Sequence, residues 1–240
     1  MTRAKKFKIY QTRWHLIATI VTIFIPILAL LIFAKVTQIT LISLVINLTL
    51  SIGRLTSAYF IALILAWIFA LISYKGNLSA IALPIFDVLQ SFPSFAAMPI
   101  AVYFWGPSNQ TIIFFLVITI IWPILFSIIS SLRLIKHDWE EAADIANLSG
   151  FNYFKYFLLP VSIPGIITGS IIGLGEGWEA LVGTEMIVNA KNGVGPFFQK
   201  FSQNPEITFF AIFGLLLIIF CINKLVWLPL LDFSHRKMEE

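Results

Sequence analysis

Charge is what this sequence has least of. Only 12% of its 240 residues are Asp, Glu, Lys or Arg, against about a quarter in an ordinary soluble domain, which excludes a large solvated surface. Cysteine is nearly missing as well: Cys221 stands alone, so no intrachain disulfide can form and the compartment cannot be read from it. The three histidines, His15, His137 and His235, have no metal-ligand spacing to cysteine or carboxylate. The chain has neither a Gly-x-x-x-x-Gly-Lys-Ser/Thr loop to cradle a nucleotide phosphate nor a Gly-x-Ser-x-Gly elbow. No catalytic residue, metal ligand or resident cofactor is therefore expected of it. Low-complexity tracts and obvious internal repeats are also wanting, which argues against an inverted-repeat secondary transporter.

What the sequence does have is hydrophobic length. Apolar residues make up 59% of it and the mean hydropathy is +0.92. Residues 14–34, 55–74 and 156–175 are charge-free runs of 20 or 21 residues, and 88–132 is one of 45. About 20 apolar residues cross the ~30 Å hydrocarbon layer as a helix, so the long run reads as two spans and a short turn. The chain is expected to be an all-α membrane protein of about six spans: 14–34, 43–74, 80–105, 110–131, 160–188 and 207–231. Residues 1–13 form an N-terminal segment, 14–231 the membrane domain, and 232–240 a tail. The first span lacks a small-residue cleavage site and reads as a retained anchor.

Lys and Arg fix the expected orientation. With the N-terminus inside, inner segments hold Arg3, Lys5, Lys6, Lys8, Arg13, Lys75, Arg133, Lys136, Lys155, Arg236 and Lys237, whereas outer ones hold Lys35, Lys191 and Lys200. Eleven against three is a positive-inside bias, and it puts both termini and the segment 132–159 in the cytoplasm. Net charge +4 does not signal nucleic acid, because the basic residues sit at span ends rather than in an aromatic-interleaved patch. Arg54 reads as snorkelling to the outer interface.

Two spans carry unusual chemistry. The third is punctuated by Pro84, Pro93 and Pro99, with Asp87 and Gln90 between the first two. Each proline removes a backbone donor, and in lipid the freed groups need neighbours or cavity water. This span therefore lines the protein interior, either as a translocation pathway or as a kinked packing helix. The fifth is glycine-rich and carries Glu176, Glu179 and Glu185. Acidic groups at membrane depth face a cavity or a partner. Glu176 reads as such a group, and Glu185 as a solvated position at the outer rim.

The segment 138–160 is a polar island between the fourth and fifth spans. Asp138 can cap a helix whose first turn carries Glu140 and Glu141, complementing the helix dipole. Asn147-Leu148-Ser149-Gly150 is a turn sequence with two residues that tolerate positive φ. A second short helix, Phe151 to Leu158, brings Phe151, Tyr153, Phe154, Tyr156 and Phe157, and Pro160 and Pro164 open the next span. Such a knob suits docking into a groove on a cytoplasmic partner. An amphipathic loop lying on lipid headgroups is the other reading.

The segment resembles the Glu-Ala-Ala motif of permease subunits in ABC importers that depend on a binding protein. Glu141-Ala142-Ala143 and Leu159-Pro160 stand at the motif's spacings, while the motif glycine is replaced by Asn147. Asn is the next most tolerant residue for the left-handed conformation. Trp178, Glu185 and Gly193-Val194-Gly195, together with Leu50-Ser51, Arg54 and the pattern Pro84 to Pro93, resemble the nitrate, sulfonate and taurine-type branch.

The resemblance covers about residues 45–230. It implies a type I ABC importer permease in the inner membrane, with the segment as a coupling helix docked through Glu141, Ala142, Ala143, Asn147, Gly150, Leu159 and Pro160 on an ABC ATPase that binds ATP and Mg. It also implies a second permease copy, an extracytoplasmic solute-binding protein, and a pathway for which Asp87, Gln90, Pro93, Glu176, Trp178 and Glu185 are candidates. The alternatives are an ion-gradient transporter using Asp87, Glu176 and Glu179 as coupling carboxylates, and a non-transporting membrane scaffold whose aromatic loop binds lipid.

Overall fold

A computed structural model describes residue 21 and residues 24–239, with side chains through Ser234. The segment 1–13, residues 14–20, 22 and 23 of the expected first span with His15 among them, and the side chains of His235, Arg236 and Lys237, lie outside the described residues. Every regular element among those described is helical: α1 (Phe24–Thr37), α2 (Leu41–Ser73), α3 (Gly76–Gln90), α4 (Ser94–Trp105), α5 (Asn109–Arg133), α6 (His137–Ile145), α7 (Gly150–Tyr153), α8 (Leu159–Ile187), α9 (Val194–Phe201), α10 (Pro205–Ile222) and α11 (Leu228–Glu239). Short π-helical turns, Phe154–Leu158 and Asn223–Trp227, join α7 to α8 and α10 to α11.

The chain divides into two compact units. In the smaller, Met1–Ile46 with Lys200–Pro229, α1 is an apolar helix whose described part, Phe24–Thr37, is about 21 Å long. Its other main helix, α10, buries none of its residues, as a helix facing lipid does.

The larger unit, Asn47–Gln199 with Leu230–Glu240, holds a helical core. Its centre is the pairing of α8 with α5, which follows from an unbroken four-residue register of glycine: Gly165, Gly169, Gly173 and Gly177. A Cβ on Gly165 would stand 2.4 Å from the Ser127 carbonyl oxygen, and one on Gly169 would stand 2.6 Å from the Ile124 Cα. Residues four apart share a helix face, so this stripe lets the two backbones touch. On α5 the matching face is branched and buried, with Leu116, Ile120, Ile124, Leu125 and Ile128 fully enclosed. Helix α2 uses the same device with alanine: Ala58, Ala62, Ala66 and Ala70 are all fully buried. It runs antiparallel to α8, since Tyr59 bonds Ser170 (2.9 Å) and Trp67 Nε1 donates to Ser162 (3.2 Å).

Four helical segments are long and apolar enough to cross a membrane: Leu41–Ser73, Asn109–Arg133, Gly150–Ile187 and Pro205–Ser234. The pair α3 and α4 makes a fifth if counted as one span, bent by 80°. Six spans are therefore not reached among the described residues. The 45-residue charge-free run is likewise not two full spans: it holds the end of α3, the 12-residue α4 and all of α5 but its last residue, Arg133. The break in the third span falls at Ser91-Phe92-Pro93, as the proline pattern implies. Pro84 and Pro99 lie inside α3 and α4 without ending them. Pro93 differs because it drives the preceding Phe92 out of the helical region just where α3 ends.

Candidate functional site: the polar helix-turn and the clasp at the opposite end

The polar segment begins as a nine-residue helix, α6, with Asp138 and Glu140 in its first turn. Asp138 is not the cap expected of it; Lys136 takes that position and makes no side-chain cap bond. Helix α6 ends in a Schellman motif: Leu148 N–H donates to Ala143 O (3.0 Å) and Asn147 N–H to Asp144 O (2.9 Å). Asn147 occupies the position that usually takes glycine, and its φ is +52°. Gly150 follows at φ +53°, so both residues read as tolerant of positive φ adopt it. Ala143 is buried beneath the motif, whereas Glu141, Ala142, Ile145 and Asn147 are exposed.

The second short helix is not a separate element. Gly150–Tyr153 passes through a π-helical turn, where Leu159 N–H reaches back to Phe154 O, directly into α8. A widened turn just before Pro160 relieves the clash of its ring with the preceding turn, so the chain bends into α8 without breaking. The aromatics divide: Phe154 packs edge-on against Trp67 of α2 at 4.5 Å between centroids, while Phe151 and Tyr156 are exposed. Leu159 is half-buried and Pro160 exposed.

One polar tie holds this segment to the start of α3 and a second joins α3 to α5 beside it. Lys75, just before α3, forms an ion pair with Glu140, and Arg133 at the end of α5 donates to Ser79 of α3 (2.6 Å). The hydrogen bond to Glu140 raises the Lys75 pKa above its ordinary 10.5. The stabilising effect of this bond is complete below that ordinary value and is lost as pH rises through the raised one. The tie is thus intact at neutral pH.

At the other end of α2, α5 and α8 lies a buried clasp. Glu185 is fully buried, which overturns the reading of it as a solvated rim residue. Its Oε1 accepts from Ser51 Oγ (2.7 Å) and Arg54 Nη1 (2.5 Å), and its Oε2 accepts from Gly195 N–H (2.8 Å). Arg54 does not snorkel either: its side chain is only 10% exposed, and it also donates to Asn109 Oδ1 (2.9 Å) and the Asn192 carbonyl (2.8 Å). Burial of a charge demands this, since an unpaired ion in a dry site costs several kcal/mol.

The Gly193-Val194-Gly195 run wraps the same carboxylate. Gly193 N–H donates to Asn47 Oδ1 (2.7 Å) and Val194 N–H to Ser51 Oγ (2.8 Å). Three successive amides opening α9 are thus satisfied by side chains from two other helices, with a carboxylate at the positive end of the helix dipole. A Cβ on Gly193 would fall 2.4 Å from Glu185 Oε2, and one on Gly195 would fall 2.5 Å from Glu185 Cβ. Glycine is required at both positions because Glu185 fills the space.

The remaining candidates are scattered. Asp87 accepts from Gln90 across one turn of α3 (2.7 Å), and both, like Pro93, are exposed. Glu176 and Glu179 are exposed on α8, and Trp178 between them is buried. The structure brings together Glu185 and the Gly193–Gly195 run but does not gather the other candidates into one cluster. Sequence reasoning missed Asn47 and the second left-handed asparagine, Asn189 at φ +51°, which closes α8 through the same Schellman bonds (Ala190 N–H to Glu185 O, Asn189 N–H to Met186 O). The Asn-Ala that follows a long apolar helix was the available signal.

Long apolar helices, a glycine-packed crossing and a polar helix-turn between two spans define a multi-pass helical membrane protein. The chain belongs to the family of binding-protein-dependent transport system inner membrane components, whose model matches residues 58–234. It is 37% identical over 114 residues to a nitrate import permease protein of Leptolyngbya laminosa, covering 48% of this chain and 40% of that one. A bicarbonate transport system permease protein of Synechococcus elongatus is 29% identical over 156 residues, covering 64% of this chain and 56% of its own. The taurine transport system permease protein of Escherichia coli is 30% identical over 112 residues, covering 47% of this chain and 40% of its own. The chain spans about half the length of the curated relatives it matches.

Proposed function

We propose that the chain is the membrane-spanning subunit of an ATP-driven importer for a small oxyanion-bearing solute such as nitrate, bicarbonate, a sulfonate or taurine. The observation that carries this reading is the exposed face of α6 from Glu141 to Asn147. It closes on a left-handed residue at the motif's glycine position and precedes Leu159-Pro160 at the motif's spacing. On this reading both termini and α6 lie in the cytoplasm, where a separate ATPase holding ATP and Mg docks on α6, α7 and the exposed Phe151 and Tyr156. A second permease copy and an extracytoplasmic binding protein complete the assembly, and hydrolysis takes place on the partner rather than on this chain.

Within that assembly Asp87, Gln90, Pro93 and Glu176 are the candidates to face the solute. Glu176 and Glu179 support this, because carboxylates exposed at membrane depth require water or a partner beside them. Trp178 and Glu185, the other two candidates, are buried within this chain. ATP closing the ATPase pair biases the permease between two states, and the coupling helices carry that bias.

The test is Glu141→Lys, an exposed substitution whose one recorded tie is His137 at 3.2 Å. Insertion is expected to stay normal while ATPase association and ATP-driven uptake in proteoliposomes are lost. Normal uptake by the variant overturns the coupling role. Uptake by the parent chain that persists without any ATPase, following an ion gradient, overturns the importer reading.

A further inference from the structure

The clasp forms one wall of a pocket of about 320 Å³ at the end of the helices remote from α6. Lys191 supplies its net positive charge, the charge of Arg54 being balanced by Glu185, and Arg54 lines it with Asn109, Asn189 and Asn192. Three of its acceptors are already engaged by donors. Asn109 Oδ1 takes the Arg54 Nε–H, Asn189 Oδ1 takes the Gln199 Nε2–H (3.0 Å), and the Asn192 carbonyl takes an Arg54 Nη1–H. What Asn109 and Asn189 still offer is N–H. No carboxylate is among the described residues lining the pocket; Glu185 lies behind Arg54 with both oxygens bonded within the clasp.

A concave site offering cations and amide donors recognises a negative oxygen-bearing group. At about 30 Å³ per water, the pocket has room for an oxyanion with part of its hydration shell. Loose, multi-donor capture of this kind lets an ion arrive and also leave.

We propose that this pocket binds the oxyanion itself on the outer side of the membrane, before it passes between the helices; the assignment of side and solute rests on the importer reading above. Arg54 acts as a fixed, pre-oriented donor wall held by Glu185, and Lys191 as the mobile charge at the mouth. The clasp is thus the rigid back of a solute site, and the Gly193–Gly195 run carries the loop bearing Lys191 and Asn192.

The test uses the assembled transporter in lipid nanodiscs, with Cys221→Ser and Asn192→Cys, and reads modification of this subunit by mass spectrometry. With each rate taken relative to the same reagent's rate with a free thiol, the anionic sulfonatoethyl methanethiosulfonate is expected to outpace the cationic trimethylammonioethyl reagent by roughly thirtyfold, the weight of a difference of two unit charges at contact distance in water. Nitrate or bicarbonate at constant ionic strength is expected to slow it. Adding Lys191→Gln removes the preference, and Lys191→Glu inverts it. Equal rates with no protection by nitrate, bicarbonate or taurine overturn the proposal. Protection by added binding protein alone also overturns it, making the pocket a protein-docking surface. Because the assay needs no turnover, anion protection in a transporter that fails ATP-driven uptake supports the pocket and counts against the importer reading alone.

Discussion

At the residue scale, two asparagines do what glycine usually does. Asn147 and Asn189 each end a helix at φ near +50°, where an L-residue ordinarily loses about 1–2 kcal/mol and Asn loses less. Asn147→Gly is therefore expected to leave uptake and thermal stability nearly unchanged, whereas Asn147→Val costs about 1–2 kcal/mol and loosens the segment that precedes α7. A severe uptake defect in the glycine variant, with stability intact, would assign the Asn side chain a contact with the docked partner. Glu185 sets the opposite case, a charge that cannot be removed singly. Glu185→Ala strands the mostly buried Arg54 and two further donors, Ser51 Oγ and Gly195 N–H, and the loss expected is about 3–5 kcal/mol, read as a fall in the unfolding midpoint in detergent. Unchanged stability would mean that Arg54 reaches water in the folded protein. Asn147 was legible in the sequence because the motif names its position; Asn189 was not, because no motif does.

At the element scale, the sequence marks where helices are interrupted, and packing decides how. Five prolines lie within the helical stretches α3, α4, α5 and α8, at 84, 99, 123, 160 and 164, yet the chain breaks by 80° only where Pro93 follows the end of α3. The expected division between a short aromatic helix and α8 became a π-helical turn because Trp67 holds Phe154 from the side. The glycine register of α8 shows why some positions accept no change. Gly169→Leu would drive a side chain into the α5 backbone, 2.6 Å from Ile124 Cα at its first carbon. Overpacking of this kind costs about 1–3 kcal/mol or more, so poor expression and loss of the folded chain are expected. Gly175, on the other face with nothing within 4 Å, is expected to accept Ala with the unfolding midpoint unmoved. Equal tolerance at both positions would contradict the α5–α8 packing.

At the scale of the whole molecule, α5 spans the distance between the two functional ends. Asn109 at its start lies in the donor-rich pocket, and Arg133 at its close meets Ser79 one short loop before α6. With α8 packed along it by glycine contacts too tight to admit a methyl group, displacement at the α6 end has a stiff route to the other, which the proposed coupling role would use. Interiors this close-packed transmit strain instead of absorbing it. The Lys75–Glu140 tie adds the start of the broken span to the same body.

The sequence by itself determined the membrane class, the helical architecture, the polar segment with its left-handed turn, and an interrupted third span, though not which of its three prolines breaks it. Each of these depends on local chemistry: apolar run length, motif spacing, and the backbone preferences of proline and asparagine. Only the tertiary structure decided the fate of Glu185 and Arg54. They stand 131 residues apart, and each looks like a surface charge when read alone. Burial made them partners, because a charge withdrawn from water is stable only beside its opposite, and that pairing determines where Gly193 and Gly195 are required.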